Sequence, residues 1–78
     1  MNDGSAKYHR SRPAFGRWLL AQRTRADAVG QIAQAAADDR RFPRDGDYDA
    51  VARRLIEVGA DSDAHHALEE AEIDYLCL

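Results

Sequence analysis

A charged segment with Phe42 and Pro43 at its centre sets the strongest constraint on how this chain folds. The segment reads DDRRFPRDGDYDAV, residues 38–51, and most of its side chains carry a charge. Pro43 disfavours helical geometry at the residue before it, so a helix that reaches this segment must end ahead of Phe42. Phe42 then lies in a connection and can turn inward, where burial of its ring contributes roughly 1.5 to 3 kcal/mol. We therefore expect Phe42 to be a core residue rather than a recognition aromatic.

Apolar residues recur at helical spacing, three and four positions apart, on both sides of this segment. The spacing predicts helices over residues 13–22, 28–39 and 48–58, and a fourth helix whose inner face runs to Tyr75 and Leu76. No segment shows the alternation typical of a strand. The residues expected to form the core are Phe15, Trp18, Leu19, Val29, Ile32, Ala33, Phe42, Pro43, Tyr48, Val51, Leu55, Leu68 and Tyr75. The pattern predicts an all-α fold.

Residues with known preferences at helix starts mark the predicted boundaries. Pro13 suits the first turn of the first helix, because its missing N–H has no partner to lose there. Asp27 is a suitable N-cap for the second helix, since its carboxylate can accept from the free N–H groups of the first turn. Asp61, Ser62 or Asp63 can cap the fourth helix in the same way.

Two glycines are expected to have structural roles. Gly30 costs about 1 kcal/mol relative to alanine in a helix interior, so we expect it to allow the close approach of a neighbouring segment. Gly59 follows the last apolar residue of the third helix and supplies a left-handed stop.

The length and the single cysteine restrict the class of protein. A chain of 78 residues is one domain, and its small core implies marginal stability. Cys77 has no partner for a disulfide within the chain, which indicates a reducing compartment. There is no run of about 18 apolar residues and no apolar core of a secretion signal, so we expect a cytoplasmic protein that does not enter a membrane.

The first twelve residues differ in composition from the remainder. They are polar, basic and without helical periodicity, as expected of a flexible arm. We therefore divide the chain into a disordered basic arm, residues 1–12, and a helical domain, residues 13–78.

Charge is distributed unevenly along the chain, although the net charge is only −3. The first 25 residues contain one acid, and the last 18 contain no lysine or arginine. The basic residues near the beginning are Lys7, Arg10, Arg12, Arg17, Arg23 and Arg25. The acidic residues near the end are Asp61, Asp63, Glu69, Glu70, Glu72 and Asp74. Both sets are candidate interaction residues.

No set of residues forms a catalytic or metal-binding signature. His65 and His66 are adjacent and diverge on a helix, while His65 with Glu69 supplies only two ligands, too few for a closed zinc site. Cys77 is next to the chain end, where a thiol is not held rigidly enough to be a nucleophile. A bundle of this size rarely provides a cleft in which two carboxylates converge. We expect no enzymatic activity, no metal, no cofactor and no small-molecule ligand.

Four short motifs and a closing pattern resemble the YozE-like family of small bacterial proteins, whose fold is similar to the sterile alpha motif (SAM) domain. The motifs are FxxWL, DxVGxIA, DxxFP and YxxVxxxL, and LEEAEIDY is similar to the closing FxEAWxxY pattern of the family. The matching residues are Phe15, Trp18, Leu19 and Gln22; Asp27, Val29, Gly30, Ile32 and Ala33; Asp39, Phe42 and Pro43; Tyr48, Val51 and Leu55; and Leu68, Glu70, Ala71 and Tyr75. Glu72 departs from the pattern, because it stands where the family has a bulky aromatic.

The resemblance implies a small SAM-like orthogonal bundle of four to five helices and brings no catalytic residues. We expect a non-catalytic protein-protein interaction module, with an unknown partner or with weak self-association between the basic and acidic ends of the chain. The alternative is weak, sequence-independent nucleic-acid binding through the basic arm and the first helix. The acidic last helix favours the first hypothesis, because it repels phosphate.

Overall fold

The computed structural model describes residues 12–78 and contains four α-helices in this part of the chain. We number them in chain order: α1 is Phe15–Ala21, α2 is Ala28–Ala37, α3 is Tyr48–Glu57 and α4 is Ser62–Leu76. Residues 12–78 include no strand, so the predicted all-α class is confirmed. The predicted arm lies outside the described residues except for its last position, and so do Lys7 and Arg10. Within the described range, no helix has both the length and the apolar character that crossing a membrane requires.

Three of the four helices begin at an aspartate that caps the first turn. The Asp27 carboxylate accepts from the Gly30 N–H at 3.1 Å, and the Asp47 carboxylate accepts from the N–H three residues later at 3.0 Å. Asp61 caps α4 in the same way at 2.9 Å, so it is the cap among the three candidates. Each such cap contributes typically about 1 kcal/mol.

The predicted ends of α1 and α2 were wrong by two residues each. α1 begins at Phe15 rather than Pro13, because Ala14 has an extended backbone and the Pro13 carbonyl accepts from the Tyr75 hydroxyl at 2.6 Å. α2 ends at Ala37 rather than Asp39. The chain turns there, and the Asp39 side chain accepts from the backbone of the following connection.

An aromatic cluster joins α1, α3 and α4. The Phe15 ring lies edge-on to the rings of Tyr48 and Tyr75, with centroids 5.6 and 5.2 Å away. Trp18 completes the cluster, 5.8 Å from Phe15 and 5.6 Å from Tyr75. Edge-to-face pairs of this kind add about 0.5 to 1.5 kcal/mol each to the burial of the rings.

The connection between α2 and α3 turns Phe42 into the core. The Phe42 side chain is 6% exposed, while the arginines around it lie at the surface. A hydrogen bond of 3.0 Å from the Gly16 N–H to the Gly46 carbonyl ties the same connection to α1. Within the connection between α2 and α3, Phe42 is therefore the buried anchor to the core.

The expected core residues fall into two groups. Eight are buried: Phe15, Trp18, Leu19, Val29, Ala33, Phe42, Val51 and Leu68. Five are half-buried: Ile32, Pro43, Tyr48, Leu55 and Tyr75. Leu76, expected on the inner face of α4, is 59% exposed, because Tyr75 takes the inner position and the next residue turns about 100° away from it.

Gly59 ends α3 with a left-handed backbone, φ +73°, as predicted. A Cβ at this position would meet no atom within 4 Å, so only the backbone conformation opposes a side chain. We expect Gly59→Ala to lower the free energy of unfolding by about 1 kcal/mol, measured by urea denaturation. Gly59→Asn should cost less, since asparagine tolerates this conformation better; equal losses for both variants would contradict the assignment.

Candidate functional site

An open apolar groove lies between α2 and α3. Both helices pack against α1 and α4, but they do not pack against each other. Phe42 and the half-buried side chains of Ile32 and Leu55 line the space between them, together with Val58 and Ala64. Its volume of about 200 Å³ lies below the roughly 300 to 1,000 Å³ of pockets that hold drug-sized ligands. The groove suits a few protruding side chains better than a small molecule.

An ion pair at one end of the groove joins α3 to the connection that follows α2. Arg54 on α3 donates to both carboxylate oxygens of Asp39, from Nε at 2.7 Å and from Nη2 at 2.8 Å. Arg54 also donates to Glu57 at 3.2 Å, and the Asp39 carboxylate accepts from the Arg41 backbone N–H at 3.0 Å. Only 19% of the Arg54 side chain and 21% of the Asp39 side chain are exposed. The pair therefore holds the start of the connection against α3.

The pKa values of the two partners follow from this geometry. The hydrogen bond from Arg54 is the main cause that lowers the pKa of Asp39 below its usual value. The same bond, followed by the bond to Glu57, raises the pKa of Arg54. Both side chains are charged at neutral pH.

We expect acid to weaken the fold through Asp39. Its pKa in the folded chain is below the value of about 3.9 in an unfolded one, so the carboxylate stabilises the fold above that pH and the contribution is lost as the pH falls through the lower value. Asp39→Asn should therefore flatten the decline of the melting temperature between roughly pH 5 and pH 2. Circular dichroism at stepped pH measures this decline.

Asp45→Asn is the matched control for the acid experiment. Asp45 pairs with Arg17, but these side chains are 77% and 57% exposed, and solvent screens such pairs. The control should keep the acid profile of the wild type. An unchanged profile in Asp39→Asn would show that the ion pair with Arg54 does not stabilise the fold.

A basic depression lies on the other side of the ion pair. It is lined by Arg41, Arg53, Arg54, Pro43, Ala50 and Glu57. Arg54 thus borders both the groove and the depression. In the connection between α2 and α3 and in α3 itself, four arginines have no carboxylate of residues 12–78 within ion-pair distance: Arg40, Arg41, Arg44 and Arg53.

The opposite end of the groove is acidic. A shallow extension along α2 shares Ile32, Ala35 and Ala64 with the groove and is also lined by Asp61 and Asp63. The groove therefore runs from carboxylates at the start of α4 to arginines beyond the ion pair.

The members of the predicted basic set that lie within residues 12–78 contact different parts of the chain. Arg17 pairs with Asp45, and Arg23 donates to the Leu20 carbonyl at 3.0 Å. The Arg12 guanidinium lies 5.4 Å from the centre of the Tyr75 ring. Each of these side chains therefore has a contact within its own chain.

Arg25 shows that the two charged ends of the chain meet within the fold. Its guanidinium pairs with Asp27 at 2.6 Å and with Asp74 of α4 at 3.0 Å. One member of the predicted basic set thus neutralises one member of the predicted acidic set. The separation of charge along the sequence is partly cancelled in the structure.

The other predicted acidic residues lie along α4. Asp61 caps the helix, and Asp63, Glu69 and Glu70 are exposed. Glu72 is half-buried.

The position of Glu72 shows how the fold accommodates its departure from the family pattern. Burial chiefly raises the pKa of the Tyr48 hydroxyl, and the nearby charges of Glu72 and then Glu69 raise it further. Glu72 is half-buried, and its charge therefore lies close enough to act on Tyr48.

Sequence reasoning missed three features: the groove, the arginines of the connection between α2 and α3 that are unpaired within residues 12–78, and an exposed apolar face on α4. Ile73 and Leu76 are 63% and 59% exposed, and their spacing of three places them on one side of the helix. The spacing of three between these two apolar residues is the sequence signal that could have revealed the exposed face.

Among residues 12–78, no three His, Cys, Asp or Glu side chains come together in a way that could hold a metal ion. Cys77 is exposed.

Residues 12–78 form a small domain of four helices with an open apolar groove between two of them. The chain belongs to the YozE SAM-like fold family, whose sequence model matches residues 14–76. The predicted resemblance is confirmed. No curated protein and no solved structure shows significant similarity to the chain.

Proposed function

We propose that this protein is a non-catalytic interaction module that binds a protein partner in the groove between α2 and α3. The observation that carries the proposal is the groove itself, where Ile32 and Leu55 are only half-buried beside an exposed Val58. Small domains depend on apolar burial for their stability, and contiguous apolar surface left open marks interaction sites.

The charges at the ends of the groove support a protein partner with a defined orientation. Asp61 and Asp63 lie at one end, and Arg41 and Arg53 lie beyond the other. Complementary charge mainly speeds encounter and selects orientation, while apolar burial supplies affinity. The partner segment should carry apolar side chains with acidic residues on the side that faces the arginines.

Site-specific photo-crosslinking in the source cells tests this proposal. A photoreactive amino acid replaces Ala35, an exposed alanine that lines the groove. The control places it at Ala21, an exposed alanine at the end of α1. We expect discrete protein adducts from position 35 that the control lacks; no adduct, or the same adducts at both positions, would contradict the proposal.

The unpaired arginines favour one alternative function, weak and sequence-independent nucleic-acid binding. Arg17 and Arg25 are held in ion pairs within the fold, so this alternative relies on Lys7 and Arg10 of the basic arm, which lie outside the described residues, together with Arg40, Arg41 and Arg44 of the connection. Release of counterions makes such binding fall steeply with salt.

Fluorescence anisotropy with duplex and single-stranded oligonucleotides tests the alternative. If it holds, Arg41→Gln should weaken binding equally for all sequences and reduce the salt dependence. Arg25→Gln, which removes an arginine already paired with Asp27 and Asp74, should change binding less. No binding by the wild type at low salt would exclude this function.

A further inference from the structure

We infer that the groove binds a second copy of this chain, through an apolar ridge formed by Ile73 and Leu76 near the end of α4. This inference rests on the proposed function and names the partner. The ridge and the groove lie on different parts of the surface, so the two copies contact each other head to tail.

The ridge has the form of a docking element. Ile73 and Leu76 are exposed by 63% and 59%, and Leu78 just beyond them is 62% exposed. Glu69 lies on the same side of α4, four positions before Ile73. The helix therefore presents an acidic residue followed by two large apolar side chains.

The ridge cannot fill the groove of its own chain. The groove meets α4 at Ala64, in the first turn of the helix. Ile73 is nine residues further along, which is about 13 Å at 1.5 Å per residue. Only another copy can bring a ridge into the groove.

Charge sets the orientation of the inferred contact. With Ile73 and Leu76 in the groove, Glu69 extends the contact by about one helical turn, roughly 5 to 6 Å, toward the basic depression beyond the ion pair of Arg54 and Asp39. Arg41 and Arg53 have no carboxylate within ion-pair distance in the described part of their own chain. In the reversed orientation, Glu69 would approach the acidic end of the groove and be repelled.

A contact between two different surfaces leaves one groove and one ridge free in every dimer. Further copies can then add, which gives rings or open chains instead of a closed dimer. A small interface with paired charges at its edge should be weak and sensitive to salt.

Sedimentation equilibrium of the full chain with two variants tests the inference. Ala35→Glu places a charge in the groove, and Ile73→Asp places one on the ridge; both positions are exposed. We expect the average mass of the wild type to rise with concentration at low salt, and each variant alone to stay monomeric. An equimolar mixture of the two should form dimers and nothing larger, because one intact groove and one intact ridge remain.

A charge reversal gives a second test that leaves the apolar contact intact. Arg53→Glu should weaken association at low salt by about tenfold or more, a change of about 1.4 kcal/mol. Adding Glu69→Arg to the same chain should restore most of the loss. Both residues are exposed, and melting curves near that of the wild type verify the fold of each variant.

Three results would overturn the inference: a wild type that stays monomeric at high concentration and low salt, a mixture that stays monomeric, or wild-type association in either single-surface variant. A monomeric wild type that still gives specific adducts at position 35 would retain the groove as a binding site and exclude the second copy as its partner. A monomeric wild type that also gives no specific adduct at position 35 would contradict the proposed function as well.

Discussion

Replacing Phe42 with alanine should lower the free energy of unfolding by about 3 to 5 kcal/mol. The Phe42 ring is 6% exposed and belongs to the core cluster, and no other residue of the charged connection is equally buried. Small domains have about 5 to 15 kcal/mol of stability in total, with the smallest at the low end. We expect a substantial unfolded population at 25 °C, measured by urea denaturation with circular dichroism.

Phe42→Leu is the matched control, because leucine keeps much of the apolar volume at the same place. It should lose clearly less stability than the alanine variant. Cooperative melting of Phe42→Ala at the wild-type temperature would show that the connection is not anchored by this ring.

Replacing Gly30 with alanine should lower the free energy of unfolding by about 2 kcal/mol, although alanine is the better helix former. Helix propensity alone predicts a gain of up to about 1 kcal/mol. A Cβ at Gly30 would collide with the backbone carbonyl of Arg25, and forced displacement of packed atoms typically costs about 1 to 3 kcal/mol. It would also disturb the segment from which Arg25 reaches Asp27 and Asp74.

Ala35→Gly in the same helix measures the propensity effect without a packing change, since Ala35 is exposed. It should cost up to about 1 kcal/mol. Chemical denaturation of both variants gives the comparison. If Gly30→Ala is more stable than the wild type, the close approach between the start of α2 and Arg25 is not a constraint on the fold.

The helices could be predicted from the sequence because their signals are local. The Asp27 cap acts on an N–H three residues away, and Gly59 ends α3 by its own backbone conformation. Phe42 could be assigned to the core for the same reason, since Pro43 prevents the helix from continuing through it.

The groove could not be predicted, because it depends on helices that do not touch. Val29 and Ile32 have the same apolar character and lie on the same helix, yet Val29 is 1% exposed and Ile32 lines the groove. The difference arises because α2 and α3 both pack against α4 and leave a space between themselves. The sequence of neither helix contains a local pattern that indicates this space.

The charge pattern along the sequence does not show which charges pair within the fold. Arg25 and Asp74 are 49 residues apart in sequence and 3.0 Å apart in the fold, so charges expected to attract a partner are used within the chain. Arg40, Arg41 and Arg44, which have no carboxylate within ion-pair distance in residues 12–78, belong to the connection around Phe42. The candidate binding surface is therefore the groove together with the charged residues at its two ends.

Methyl NMR over a dilution series at low salt can show, residue by residue, whether the groove of one copy binds the ridge of another. We expect the methyl signals of the groove and the ridge to shift together as the concentration rises, namely those of Ile32, Leu55, Val58, Ile73 and Leu76. The signals of the buried Val29 and Val51 should remain constant. Added salt should reverse the shifts. Concentration-independent signals at the groove and the ridge, or shifts confined to other surfaces, would contradict the binding of one copy by another.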